Sequence, residues 1–137
     1  MTYRRIVMIV SLTTLLLSAC SAKTFDINET EVNEVKISYF TDFGSINGDD
    51  LRSFHKEEDI KGLVAAINTA KPIDGDVDMP AGDYNVLVNF ADDTSKGFHL
   101  WISEDDSVAT IMKLEDTATA YKLTKSATNR IRSILFD

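Results

Sequence analysis

The sequence predicts an α+β fold, an antiparallel sheet of about four to five strands covered on one face by two amphipathic helices. Three observations predict it. Several short segments alternate apolar and polar residues with period two, the mark of half-buried strands. Two longer segments carry apolar residues at spacings of three and four, which places them on one helical face. Turn-forming clusters separate the strands closely, and strands joined by tight turns run antiparallel. Two helices with apolar faces need one sheet face to cover, and a two-layer sandwich provides it.

The elements follow in order. Val35, Ile37 and Tyr39 alternate with Glu34, Lys36 and Ser38, giving the first strand. Thr41 to Asp50 holds Gly44, Asn47, Gly48 and paired acids, which is turn chemistry. Leu51 to Phe54 forms a second short strand. The first helix carries Ile60, Leu63, Val64 and Ile67 on one stripe, with Ala66 and Ala70 beside it. Glu57, Glu58 and Asp59 sit in its first turn, where the helix dipole favours negative charge. Pro72 stops it, and Gly62, about 1 kcal/mol worse than Ala in a helix, points to a close neighbour. A loop runs from Pro72 to Asp83. Tyr84, Val86, Val88 and Phe90 then alternate with Asn85, Leu87 and Asn89. The turn Asp92–Gly97 joins this strand to Phe98–Ile102 as a hairpin. Glu104–Ser107 turns again, and Val108–Leu114 and Thr119–Leu123 are further strands. Thr124 or Ser126 caps a final helix whose inward stripe is Ala127, Ile131, Ile134 and Leu135.

Ahead of these elements lies a targeting pattern. Arg4 and Arg5 precede an apolar stretch from Ile6 to Leu17, and Ser18-Ala19-Cys20 closes it. A basic start, an apolar core and a small-residue end make a secretory signal, residues 1–19. The alternative is a transmembrane helix, which needs about 20 apolar residues. Only 14 residues separate Ile6 from Ala19 inclusive, and acidic, polar sequence follows. Leu17-Ser18-Ala19-Cys20 has the form of a lipobox, where a diacylglycerol is joined to the cysteine before cleavage. Two acyl chains hold a protein firmly at a membrane where one holds it marginally. Residues 20–33 read as a polar tether, and residues 34–137 as a single α+β domain. Cys20 is the only cysteine, so no disulfide braces the domain and its stability rests on its core.

Charge narrows the partners. Beyond Ala19 the chain has 12 bases against 22 acids, a net charge of −10. Nucleic acid is excluded, because phosphate binding is driven by Lys and Arg. The same excess repels anionic head groups and leaves lipid on Cys20 as the one attraction to the membrane. Metal and cofactor sites fail on pattern. Asp74, Asp76 and Asp78 are spaced as the first calcium ligands of an EF-hand, but Met79 stands where the turn needs Gly and Asn85 where a bidentate Glu belongs. His55 and His99 form no His-Glu-x-x-His pair. Gly44-Ser45-Ile46-Asn47-Gly48 sets its serine one place too early for a nucleophile elbow, and no glycine-rich phosphate loop occurs. No catalytic residue and no cofactor is therefore expected. His99 and Trp101 lie on one face of one strand, a candidate binding patch, with burial of Trp101 under a helix as the competing reading.

The segments Phe54–Ile60, Ala66–Lys71, Gly75–Pro80, Asp83-Tyr84, Leu100–Ile102, Ile111-Met112, Glu115–Thr117 and Tyr121–Leu123 resemble the YhfM-like family, small lipoproteins of Gram-positive bacilli. The likeness runs from about Val35 to Leu135. It implies a lipoprotein on the extracytoplasmic face of a cell membrane and implies no reaction. Three functions remain in contention: a non-catalytic module binding an envelope protein or peptide, an inhibitor or folding accessory of a secreted protein, and a small hydrolase. The first is favoured, and the protein is not expected to be an enzyme.

Overall fold

The structure is a computed structural model that describes residues 24–46, 49–105 and 107–137. The expected signal segment, residues 1–19, and Cys20 lie outside the described residues. A turn of 3-10 helix, Glu29–Glu31, leads into β1 (Val32–Tyr39) and β2 (Asp50–Phe54). Then come α1 (Glu57–Ile67), β3 (Lys71–Pro72), β4 (Tyr84–Phe90), β5 (Ser95–Trp101), β6 (Thr110–Lys113), β7 (Asp116–Lys122) and α2 (Lys125–Phe136). The strands form one sheet in the order β2-β1-β4-β5-β6-β7-β3, with every neighbouring pair antiparallel.

The α+β class holds, but the sheet has seven strands rather than four to five. Periodicity misses the surplus for a physical reason. β3 is only Lys71-Pro72, too short to alternate, and its proline sits where a missing N–H does least harm, on the sheet's edge. β7 was expected from Thr119 and begins three residues earlier, since Asp116-Thr117-Ala118 have no large apolar side chain to show a buried face in the sequence.

One face carries the main core. The pairings Val35↔Val88, Ile37↔Val86, Val86↔Phe98, Leu100↔Ile111 and Ile111↔Tyr121 line up apolar side chains across five strands. Ile60, Leu63, Val64 and Ile67 of α1 and Ala127, Ile131 and Leu135 of α2 join them in one buried cluster. α1 stops at Ile67, ahead of Pro72, which lies in β3 instead, and the two ends of α2 have side-chain partners. The Thr124 hydroxyl accepts the Ala127 N–H at 3.1 Å and caps α2. At the other end of α2, Arg52 of β2 donates to the carbonyls of Ile134 (2.7 Å) and Leu135 (3.0 Å), placing a cation where the helix dipole is negative. The close neighbour expected at Gly62 is Arg130 of α2. A Cβ at Gly62 would stand 2.7 Å from the guanidinium Nε, the far end of a flexible side chain.

The domain begins earlier than residue 34. Phe25 and Ile27 are 6% and 4% exposed and belong to the main core. Phe25 packs on Phe98 and Tyr121 with ring centroids 5.3 and 4.7 Å away. Asn68, just past α1, donates to the Ile27 carbonyl at 2.9 Å and accepts the Ile27 N–H at 3.0 Å. Residues 24–31 therefore complete the layer on the helical face over β5, β6 and β7, which leaves less of the chain for the expected polar tether. Two apolar residues flanking Asp26 are too brief a signal to stand out in a polar stretch.

Burial of this segment sets a prediction. Phe25→Ala should lower the stability of the full-length chain by about 3–5 kcal/mol, the usual cost of emptying a buried phenylalanine site. Urea denaturation measures it, and a loss under about 1 kcal/mol would mean that the segment is a tether after all.

Candidate functional site

The second face of the sheet carries the polar chemistry. Strand alternation puts Asn85 of β4, His99 of β5, Met112 of β6 and Ala120 of β7 on the side away from the helices. The ladder sets His99 between Asn85 and Met112, and Ala120 beside Met112. No described helix covers these residues, and two connections do so instead. Ile73, Val77 and Met79 from the β3–β4 connection pack on Trp101, Met112 and Ala120 as a second small cluster. Residues 40–46, leaving β1, cross the sheet as a strap.

Glycines let the strap lie flat. A Cβ at Gly82 would meet the Phe40 ring at 2.8 Å, and one at Gly97 would meet Ile46 at 2.9 Å. Gly44 turns the strap with φ +74°, a conformation costly for other residues. Between these points the strap lays two rings on the site. Phe40 and Phe43 stand 5.1 and 5.5 Å from the His99 ring, and Phe43 stacks 6.2 Å from Trp101.

The hydrogen bonds at His99 leave one assignment. The Gly44 N–H is a donor and lies 3.1 Å from Nε2, so Nε2 carries a lone pair. Nδ1 then carries the proton and donates to Asn85 Oδ1 at 2.7 Å. That orientation turns the Asn85 amide nitrogen to the Tyr39 carbonyl, 3.3 Å away. His99 is neutral in this arrangement, and no hydrogen-bonding atom of its ring is left over. Burial pushes its pKa below the ordinary value, while the negative charge of Asp42 in the strap works the other way.

Trp101 is as fully engaged. Its indole N–H is shared between the carbonyls of Pro80 (3.0 Å) and Ala81 (3.1 Å). The expected pair does share a face, with ring centroids 6.4 Å apart. It is not an open patch: His99 is fully buried and Trp101 is 8% exposed. What buries Trp101 is a pair of connections rather than a helix, and His99 lies at the centre of the covered area rather than at its rim. The residues that complete the site, Asn85, Phe40, Phe43 and Gly44, are not apparent in the sequence. Asn85 alternates with valines and so reads as solvent-facing. Only the pairing across the Asn89–Ser95 turn shows it opposite His99.

The remaining surface divides into two ends. Thr24 and Phe25 line a hollow with Lys96, Gly97, Lys113 and Glu115, beside the β4–β5 and β6–β7 turns. At the opposite ends of the strands, Tyr39 and Phe136 are 60% and 44% exposed. Tyr84 links them, 5.8 Å from Tyr39 and 6.3 Å from Phe136. Asp74, Asp76 and Asp78 are exposed, and among the described residues no group of three or more His, Cys, Asp or Glu could hold a metal ion. No described helix is long and apolar enough to cross a membrane.

Replacing His99 by Leu keeps the volume but strands the Gly44 N–H and Asn85 Oδ1. Asn85 is fully buried while Gly44 is exposed and can turn its amide to water. One buried group is thus orphaned at a cost of about 1–3 kcal/mol, and His99→Leu should destabilise the chain by roughly that amount. Chemical denaturation monitored by circular dichroism reads the change, and an unaltered midpoint would show that neither bond matters.

Comparison with known proteins adds a family and a fold. The family model described as YhfM protein matches residues 22–137. No curated protein matches the chain. A thioesterase-like protein from Clostridium sporogenes ATCC 15579 has a similar fold, with a TM-score of 0.62 and 16% identity, over 79% of this chain and 97% of that one.

Proposed function

The chain belongs to the YhfM protein family, and from that premise we propose that it is a lipoprotein of the outer face of the cell membrane. Lipid on Cys20 holds it there, and its domain binds an envelope protein or peptide without catalysing a reaction. The observation that carries this reading is Leu17-Ser18-Ala19-Cys20, at the end of an apolar core and just ahead of a folded domain. Phe25, already in the core, is five residues beyond Cys20. Five extended residues reach at most about 18 Å, so the domain rides close to the lipid surface. Its charge of −10 gives no electrostatic help there, which leaves the acyl chains to supply the affinity.

The non-catalytic part of the proposal is supported by the state of the buried histidine. A general base must reach the proton it removes. His99 has both ring nitrogens occupied by Asn85 and Gly44 and no surface open to a substrate. The likeness to a thioesterase-like protein favours a second reading, a small hydrolase. That reading requires His99 to be uncovered before any chemistry begins. The exposed rings of Tyr39 and Phe136 support the binding reading, because exposed aromatic side chains are the common anchors of interfaces.

The anchor is tested in a bacterial host that processes lipoproteins. Cys20→Ala should leave the domain folded but either unprocessed or released from the membrane fraction. Normal processing with full membrane retention would sink the lipoprotein assignment.

A further inference from the structure

The strap and the buried imidazole together form more than a lid on an apolar patch. We propose that His99 and Gly44 make a proton-operated latch, which holds the 40–46 strap on the sheet while His99 is neutral and frees it when His99 takes a second proton. The inference concerns the fold itself and stands whether or not Cys20 carries lipid.

The geometry has three parts. First, the bond from the Gly44 N–H to Nε2 requires a lone pair on that nitrogen. Protonation at Nε2 turns the acceptor into a donor and sets two N–H groups against each other across 3.1 Å. Second, the other ring nitrogen offers no escape. Nδ1 already donates to Asn85 Oδ1, and the Asn85 amide is committed to the Tyr39 carbonyl. Third, the new charge would lie in a fully buried place. From β4 and β6 it faces Asn85 and Met112, and from the strap Phe40 and Phe43, none of which can neutralise it. Asp42, beside Phe43, is the charged side chain that acts on His99, and it favours the proton. An isolated buried charge is costly, and the chain avoids the cost by moving the group to water. The movable part is the strap, because β5 is held on both sides by ladders, whereas beyond the Phe40 N–H, bonded to the Asp83 carbonyl, the strap is held on the site by the Gly44 hydrogen bond and its rings.

The direction in pH follows from the lowered pKa. The closed form binds the proton less readily than an exposed histidine, whose pKa is about 6.5. The strap is therefore fully latched above that value and loosens as pH falls from there through the lower pKa of the closed form. Opening uncovers the ring of His99 and the side of Trp101 on which Phe43 stacks, which makes an interaction surface out of residues that are buried at neutral pH.

The full-length chain contains one tryptophan, so emission from Trp101 reports on the strap directly. Between pH 7.5 and 5.0 its emission should shift to the red. Over the titration window the protection factor of the Gly44 amide should fall by up to about tenfold per pH unit, the slope of a single proton. The amides of Val88 and Leu100, inside the ladders, should keep their protection. Asp42→Asn, an exposed change that retains an oxygen to accept the Phe43 N–H, should move the transition to lower pH. His99→Gln, if it folds, should abolish it. A flat response over this range overturns the latch. So does loss of Val88 and Leu100 protection together with Gly44, which would mean that the whole domain unfolds, or an Asp42→Asn transition that does not move.

Discussion

The constraint on which this molecule depends is that its central strands are buried on both faces while its two helices can cover only one. Val86, Val88, Phe98, Leu100 and Ile111 fill the face toward α1 and α2. Asn85, His99, Met112 and Ala120 alternate with them and are equally buried. With no third helix among the described residues, the chain covers the second face with the strap and with the β3–β4 connection. Connections bring backbone amides and carbonyls that no ladder satisfies, and buried backbone groups need partners. The polar side chains of that face meet this need. His99 accepts from Gly44, Asn85 donates to Tyr39, and Trp101 donates to Pro80 and Ala81. Polar residues in the middle of strands are thus a consequence of covering a sheet with loops.

That consequence explains which features were legible in the sequence. Helix α1 was, because Ile60, Leu63, Val64 and Ile67 repeat with a helical period and acids crowd its start. The Thr124 cap and the inward stripe of α2 were legible for the same local reason. So were the cores of β1, β4 and β5, where one face is apolar. The edge strand β3, the place of Phe25 and the surroundings of His99 were not. Each depends on contacts between residues far apart in the chain: Lys71 with Lys122, Phe25 with Tyr121, Gly44 with His99. Periodicity sees the face on which a residue lies and cannot see what covers that face. His99 and Trp101 were rightly placed on one face, and the sequence contains no sign that a loop lies over it.

The same burial bears on chemistry. A histidine in a cleft with a free nitrogen, near a carboxylate, would invite an acid–base role. Here the partner of Nδ1 is an amide rather than a carboxylate, so no ion pair at that nitrogen stabilises an imidazolium, and the charge of Asp42 only partly offsets the burial. The partner of Nε2 is a backbone donor, which demands that the nitrogen stay unprotonated. Both features favour a neutral ring and a fixed tautomer, the reverse of a poised general acid. Similarity of fold to a thioesterase-like protein does not alter this, since function is carried by side chains rather than by sheet topology.

Anchor and surface are related through the strands. Phe25 enters the core beside the β4–β5 and β6–β7 turns, so a lipid on Cys20 would hold that end of the sheet toward the membrane. β1 carries the chain from Val32, near this end, to Tyr39 at the far end, eight residues and about 25 Å away at the rise of a strand. Tyr39, Tyr84 and Phe136 would then point outward, with the strap leaving β1 immediately afterwards at Phe40. With lipid on Cys20, as proposed, a short link at one end and exposed rings at the other would give the domain a fixed sense relative to the bilayer. With the core beginning at Phe25, such a link would have too little slack to let the domain turn either end to the membrane.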